Sequence, residues 1–163
     1  AQRKRTILWF NKSRDGKWSF TYPKLNDELP LGDFVTYGNG KALVIISYAN
    51  GIYHSLKAQP EIEKLIKRKI KIIDLCWLSD INIDKLIKEI GDINKILIVD
   101  ECRRSGCHGE GLMATLHEKM RSNLKIILHA AEDSFIPLGV AATSTLPNHD
   151  TITNYALELY NHE

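Results

Sequence analysis

Residues 95–111 read KILIVDECRRSGCHGEG, and the fold turns on how this stretch is read. Ile96-Leu97-Ile98-Val99 is short, β-branched and unbroken by polar residues. Such a run fits a strand buried on both faces, as in a parallel sheet. A polar stretch follows, rich in acids, arginines, cysteines and glycines, and then Leu112, Met113, Leu116 and Met120 recur at helical spacing. Strand, loop, helix is half of a βαβ unit. In an open α/β sheet, function gathers outside the carboxyl ends of the strands, which is where DECRRSGCHGEG falls.

The same pattern recurs on both sides. Leu43-Val44-Ile45-Ile46, Ile70 to Leu75 and Ile126-Ile127-Leu128 are further apolar runs. Ile83, Leu86, Ile87 and Ile90 form a helical stripe that stops at Gly91. Ile62, Leu65 and Ile66 mark another helix entered through Pro60, with a shorter helical piece expected over 50–58. Ile152, Tyr155, Ala156, Leu159 and Tyr160 mark the last helix, with Asp150 as its expected cap. Residues 34–37 add an edge strand. Gly38-Asn39-Gly40 has hairpin chemistry, so this strand is expected antiparallel to the next one. The prediction is an α/β fold: a three-layer α/β/α sandwich on a five-stranded, mostly parallel sheet with one antiparallel edge strand.

Totals narrow the function classes. With 163 residues the chain suits one domain, or a domain plus a tail. A net charge of +2 lacks the basic bias of a nucleic-acid binder. The cluster Arg3-Lys4-Arg5 reads as a solvated terminus. Three cysteines are too few for a disulfide scaffold, which points to a reducing compartment. No apolar run reaches the roughly 20 residues of a membrane span. The chain opens on Ala1 rather than Met, so a fragment of a longer chain is expected. Residues 1–30 read as a linker or tail, with aromatics scattered between Gly16, Pro23 and Pro30.

Four chemistries compete for the quoted loop. Zinc would need Cys102, Cys107 and His108 with Asp100 or His117, but adjacent Cys107 and His108 can hardly turn to one ion. A redox pair would need Cys-x-x-Cys at a helix start. Gly109-x-Gly111-x-x-Ala114, with Glu132 or Asp133 downstream, matches a dinucleotide fingerprint, yet the first glycine sits too far from the strand to form the tight phosphate turn. The fourth reading is a packing loop. Asp100 and Glu101 accept from backbone amides or pair with Arg103 and Arg104, while the glycines let the chain turn and approach closely. The histidines at 54, 129, 149 and 162 are expected to be structural.

Taken with other segments, ILIVDECRRSG resembles the thiamine-diphosphate-dependent 2-oxo acid dehydrogenases, in the transketolase C-terminal-like domain of their decarboxylating component. LPLGDFVTYGNGKALVIISYANG (29–51) resembles that domain's opening. IIDLCWLSDINIDKL (72–86) is similar to its DL-x-WL-x-P turn, with Asp80 where proline is usual. AAEDSFIPLGVAATSTLPNHDTI (130–152) resembles fused-chain members that process branched-chain oxo acids. Two departures stand out: Gln59-Pro60 is expected to interrupt a helix, and His108 to Gly111 replaces a usual Ser-Glu helix start.

The resemblance implies that 1–30 is the tail of a pyrimidine-binding domain and 31–163 the transketolase C-terminal-like domain. It implies a parent enzyme that decarboxylates a 2-oxo acid oxidatively and passes the acyl group to lipoyl groups. Thiamine diphosphate and magnesium belong to that parent. The nearest string to the family's Gly-Asp-Gly motif, Gly91-Asp92-Ile93-Asn94, lacks its second glycine, so no catalytic, cofactor or metal residue is expected in this chain. The loop residues Asp100, Glu101, Arg103, Arg104 and Gly106 are candidates for a structural interface. Asp150, Glu158 and Glu163 are candidates for docking the subunit-binding domain of the dihydrolipoyl acyltransferase core. The implied partners are other domains or subunits of the same enzyme, a homodimer among them, with no nucleic acid and no membrane. The implied compartment is the cytoplasm, or the mitochondrial matrix in a eukaryote. The alternative is a stand-alone α/β nucleotide- or metal-binding protein that uses the 100–111 loop.

Overall fold

A computed structural model describes residues 24, 28–120 and 123–161. The strands are β1 (Val35–Tyr37), β2 (Val44–Ser47), β3 (Lys71–Asp74), β4 (Lys95–Arg103) and β5 (Lys125–Ala131). The helices are α1 (Ala49–Ile66), α2 (Ile83–Ile90), α3 (His108–Lys119) and α4 (His149–Asn161), and a 3-10 turn spans Gly139–Ser144. The strands form one sheet in the order β1-β3-β2-β4-β5. β2, β3, β4 and β5 are parallel, and β1 is antiparallel to β3. This is the expected mostly parallel sheet with one antiparallel edge strand.

The apolar runs are continuous because both faces of each strand are covered. Val44, Ile46, Ile73, Ile96 and Ile98 pack on one face against Leu86 and Ile90 of α2 and Leu112 and Leu116 of α3. Their neighbours Ile45, Ile72, Leu97 and Val99 pack on the other, against Ile52, Ala58 and Ile62 of α1 and Ile152, Ala156 and Leu159 of α4. The alternation follows from the two-residue period of a strand.

Three local expectations are corrected. First, β1 and β2 do not form a hairpin, because β3 lies between them. The connection crosses the start of β3, where Gly40 N–H donates to Ile70 O at 3.3 Å and Ala42 N–H to Lys69 O at 3.3 Å. Gly40 is required there: a Cβ would lie 2.0 Å from the Lys69 carbonyl carbon. Second, α1 is one helix of 18 residues with Pro60 inside it. Proline in a helix interior costs about 3 kcal/mol. Burying Ile52, Ala58, Ile62 and Ile66 outweighs that, at about 1.5–3 kcal/mol for each large side chain. Third, Asn148 caps α4 rather than Asp150: its Oδ1 accepts from Asp150 N–H and Thr151 N–H, each at 3.0 Å. The expected stop of α2 stands, since Gly91 N–H donates to Ile87 O at φ +64.

Most of 1–30 lies outside the described residues, as do His162 and Glu163. No helix among the described residues is long and apolar enough to cross a membrane.

Candidate functional site

Strand order reverses between β2 and β4: the chain runs from β2 outward to β3, then returns past β2 to β4 and β5. The helices that follow β2 and β4 cover opposite faces. A crevice therefore opens between the carboxyl ends of these two strands, the place where such sheets bind ligands. Its walls are Ser47, Tyr48 and Asn50 from β2 and α1, and Asp100 and Glu101 from β4.

Side-chain alternation fills the crevice. Ile46 pairs with Ile98 in register. Two residues on, Tyr48 and Asp100 point to the same face and meet, with the Tyr48 hydroxyl donating to Asp100 Oδ1 at 2.5 Å. Asp100 Oδ1 also accepts from Cys102 N–H at 2.8 Å, and Oδ2 from Gly109 N–H at 2.9 Å. Asp100 is completely buried. Its carboxylate thus holds the first turn of α3, where negative charge is favoured by the helix dipole and the free amides. A Cβ at Gly109 would sit 2.5 Å from Leu128 Cδ1 and 3.4 Å from Asp100 Oδ2, so glycine lets the helix come this close. The ladder between β4 and β5 slips between Asp100 and Arg103. This bulge turns the Cys102 amide back toward Asp100.

Two further bonds close the walls. Ser47 Oγ donates to Val99 O at 2.8 Å, and Asn50 Nδ2 to Glu101 Oε2 at 3.2 Å. Burial raises the Tyr48 pKa, and the bond to Asp100 raises it further. Burial also raises Glu101, against the pull of Asn50, with the Asp100 charge adding to the rise. The cavity left at this point is only about 10 Å³, room for about one water. Thiamine diphosphate or a dinucleotide does not fit there, and the polar groups that would meet it are bonded to each other.

The remaining loop residues are tied outward. Arg104 Nη1 donates to Leu128 O at 2.8 Å, and its amide to Ala131 O at 2.9 Å. Ser105 donates twice to Asp133, from N–H at 2.8 Å and from Oγ at 2.5 Å. Those bonds hold the Asp133 carboxyl below its usual range, and Arg103 and Arg104 add to the effect. Gly106 takes φ +77 and donates to Glu110 Oε2 at 2.8 Å. Of the two expected roles Asp100 takes the first, accepting from the backbone amides of Cys102 and Gly109; among the described residues no ion pair joins Asp100 or Glu101 to Arg103 or Arg104, because Asp100 faces inward under α3.

The three cysteines are free thiols, with Cys107 buried and Cys102 exposed. Among the described residues no three His, Cys, Asp or Glu side chains converge on a point that could hold a metal ion. Asp150 and Glu158 lie on α4 about 12 Å apart along its axis. Sequence reasoning missed Tyr48, Asn50 and Ser47.

The carboxyl edge also carries uncovered apolar side chains. Phe135 is fully exposed and Leu138 is 87% exposed, in the segment after β5; Leu31 is 77% exposed where the chain enters β1.

Comparison with known proteins places this arrangement. Residues 32–133 match the family model of the transketolase C-terminal domain. The pyruvate dehydrogenase E1 component subunit beta of Bacillus subtilis is 26% identical over 136 residues, which cover 82% of this chain and 42% of that protein. Its counterpart in Staphylococcus epidermidis is 29% identical over the same coverage. The chain thus spans under half the length of these relatives. Among solved structures, a split-gene transketolase described as an inactive beta4 tetramer superposes with a TM-score of 0.72 at 12% identity. The match covers 84% of this chain and 44% of that one. A 2-oxoglutarate:ferredoxin oxidoreductase from Magnetococcus marinus superposes with a TM-score of 0.55 at 12% identity, over 98% and 23%. With well over half its residues matching the model and a five-stranded sheet of the same kind, this chain belongs to the transketolase C-terminal domain family.

Proposed function

We propose that the chain is a non-catalytic interface domain of a thiamine-diphosphate-dependent 2-oxo acid dehydrogenase, in the decarboxylating component. One observation carries the reading: the switch-point crevice is stitched shut by the chain's own side chains, while the rim around it presents uncovered apolar groups. A site built for chemistry keeps polar groups unspent and a space between them. A rim of exposed Phe135, Ile136 and Leu138 beside Arg103 and Ser105 has the make-up of a protein contact.

Leu31, which enters β1 at the far side of the sheet, adds an exposed apolar group to the same carboxyl end. The rest of the parent enzyme would cover this rim and supply both halves of the cofactor site. When bound there, thiamine diphosphate with magnesium supplies the carbanion chemistry of decarboxylation. The contribution of this chain is to brace that assembly: Asp100 fixes α3, and Arg104 and Ser105 fix the loop that carries Phe135. The substrate would be a 2-oxo acid, with a branched-chain acid suggested by the likeness of 130–152. Asp150, Glu158 and Glu163 are the acidic groups offered to the acyltransferase's subunit-binding domain, and a second copy of the chain could pair through the same rim.

Isothermal titration of the 163-residue chain with thiamine diphosphate and magnesium tests the non-catalytic claim. No saturable heat is expected, and a saturable isotherm would refute it. The interface claim is tested separately by co-purification with the remaining segments of the parent enzyme. F135S/L138S should lose that association while keeping the circular dichroism of the unaltered chain; undiminished co-purification sinks the assignment of the rim.

A further inference from the structure

The opposite, amino-terminal edge of the sheet carries a second surface. Lys64, Lys67, Arg68 and Lys69 crowd the end of α1 and, with Pro60 and Glu63, line an open groove of about 470 Å³. Lys41 joins them, because the chain beside it bonds across to the Lys69 carbonyl. A neighbouring groove of about 500 Å³ is lined by Lys41, Lys71 and Lys88, with Glu89 and Asp92.

Little of this charge is neutralised locally. Glu63 is committed: Lys69 Nζ contacts its Oε2 at 2.5 Å, and Gln59 Nε2 and Ile70 N–H donate to Oε1 at 3.1 and 3.3 Å. Lys71 pairs with Glu89 at 2.9 Å. None of the ion pairs among the described residues involves Lys64, Lys67, Arg68 or Lys41. A cation in the last turn of a helix is favoured by the dipole at about 0.3–1 kcal/mol, which accounts for Lys64. It does not account for Lys67, Arg68 and Lys69, which follow the helix end in unbroken succession. Lys67 itself takes φ +54, a conformation that a non-glycine residue adopts only at a cost. Like charges this close repel, and an anion laid in the groove relieves the repulsion.

We propose that this groove docks an acidic peptide segment of a partner protein. Two features select a peptide over a nucleic acid. Exposed apolar groups stand among the cations, with Pro60 in the groove wall and Leu65 52% exposed on the same helix. Among the described residues no aromatic side chain lines the groove on which a base could stack. The opposite edge mixes exposed acids (Asp80, Glu132, Asp133) with Arg103 and Arg104, whereas the amino edge carries Lys64, Lys67 and Arg68 outside any ion pair among the described residues, so an acidic partner is steered there. The proposal is independent of the interface role of the carboxyl edge.

The test is fluorescence anisotropy of the full chain with a short labelled peptide repeating Glu-Glu-Leu, against a Lys-Lys-Leu peptide and a duplex oligonucleotide. Saturable binding of the acidic peptide is expected, weakening as ionic strength rises, since the Debye length falls to about 8 Å at physiological salt. K64E/K67E/R68E should weaken it about tenfold or more, whereas K119E, at the end of α3 on the other face of the sheet, should change it less than about twofold. K64Q/K67Q/R68Q, which removes charge without reversing it, gives an intermediate loss and serves if the reversed variant does not fold by circular dichroism. Equal loss in both sets of variants, tighter binding of the duplex, or no saturable binding would each overturn the proposal.

Discussion

Asp100→Ala is the most informative single substitution in this domain. The carboxylate accepts three hydrogen bonds, from Tyr48 Oη, Cys102 N–H and Gly109 N–H. Hydrogen bonds to a charged group contribute about 1.5–3 kcal/mol each. Tyr48 and Cys102 reach solvent in part and can recover water as a partner, whereas Gly109 is buried and its amide is left orphaned. The net cost should be about 3–5 kcal/mol, a large share of the roughly 5–15 kcal/mol that holds a domain together. Tyr48→Phe removes one donor and should cost only about 1–2 kcal/mol. Asp100→Asn keeps the volume but turns an NH2 toward one of the three donors, so about 2–4 kcal/mol is expected. Urea unfolding followed by circular dichroism reads these differences as shifts in midpoint at constant m-value. The Y48F/D100N cycle should show a coupling of about 1–2 kcal/mol. If D100A costs less than Y48F, the carboxylate is not the brace of this crevice and the reasoning fails.

Three other outcomes follow from the same geometry. Gly40→Ala should lower stability by about 2–3 kcal/mol or more, because the added Cβ meets Lys69 and Ile70 backbone at 2.0–2.2 Å; an unchanged Tm would contradict the crossing of β3 described above. Burial lowers His54 and His129 to about 4, with His149 and Lys57 adding to the effect at His54. The unfolded chain therefore takes up protons first, and the stability these rings contribute is full above pH about 6.5 and is lost as the pH falls toward about 4. Tm measured across that window should drop more steeply for the natural chain than for H54Q/H129Q, and parallel curves would rule the histidines out. With a thiol reagent at neutral pH, Cys102 should label well before Cys107, which is buried and has its pKa raised by that burial; peptide mapping that finds Cys107 modified as fast would mean α3 opens readily.

Much of this architecture is legible in the residues. The doubly apolar runs are enough to define four parallel strands, and the stripe ending at Gly91 defines α2. The partner of β1 is not legible, because the connection through Gly38 and Gly40 is long enough to step over a strand as well as to fold back beside one. Pro60 misleads because tertiary burial of the apolar stripe of α1 overrides a local penalty. Asn148 and Asp150 are equally good caps by composition, and only the fold shows that the amides of Asp150 and Thr151 turn to Asn148. The inward turn of Asp100 was available from the sequence: Ile96, Ile98 and Asp100 share one face by alternation, as do Val44, Ile46 and Tyr48. The charge of Asp100 argued for the surface, while its period argued for the interior, and the period won because Gly109, in the first turn of α3, offers an amide.

The insertion of β3 between β1 and β2 has a consequence for how the chain is made. β1 leaves the ribosome more than thirty residues before the strand it pairs with, since Tyr37 precedes Lys71 by all of β2 and α1. During that interval its backbone donors and acceptors have no mate, and closing so wide a loop is slow. β1 is thus the latecomer of the sheet, and its arrival latches the edge only after the central β-α-β unit has condensed.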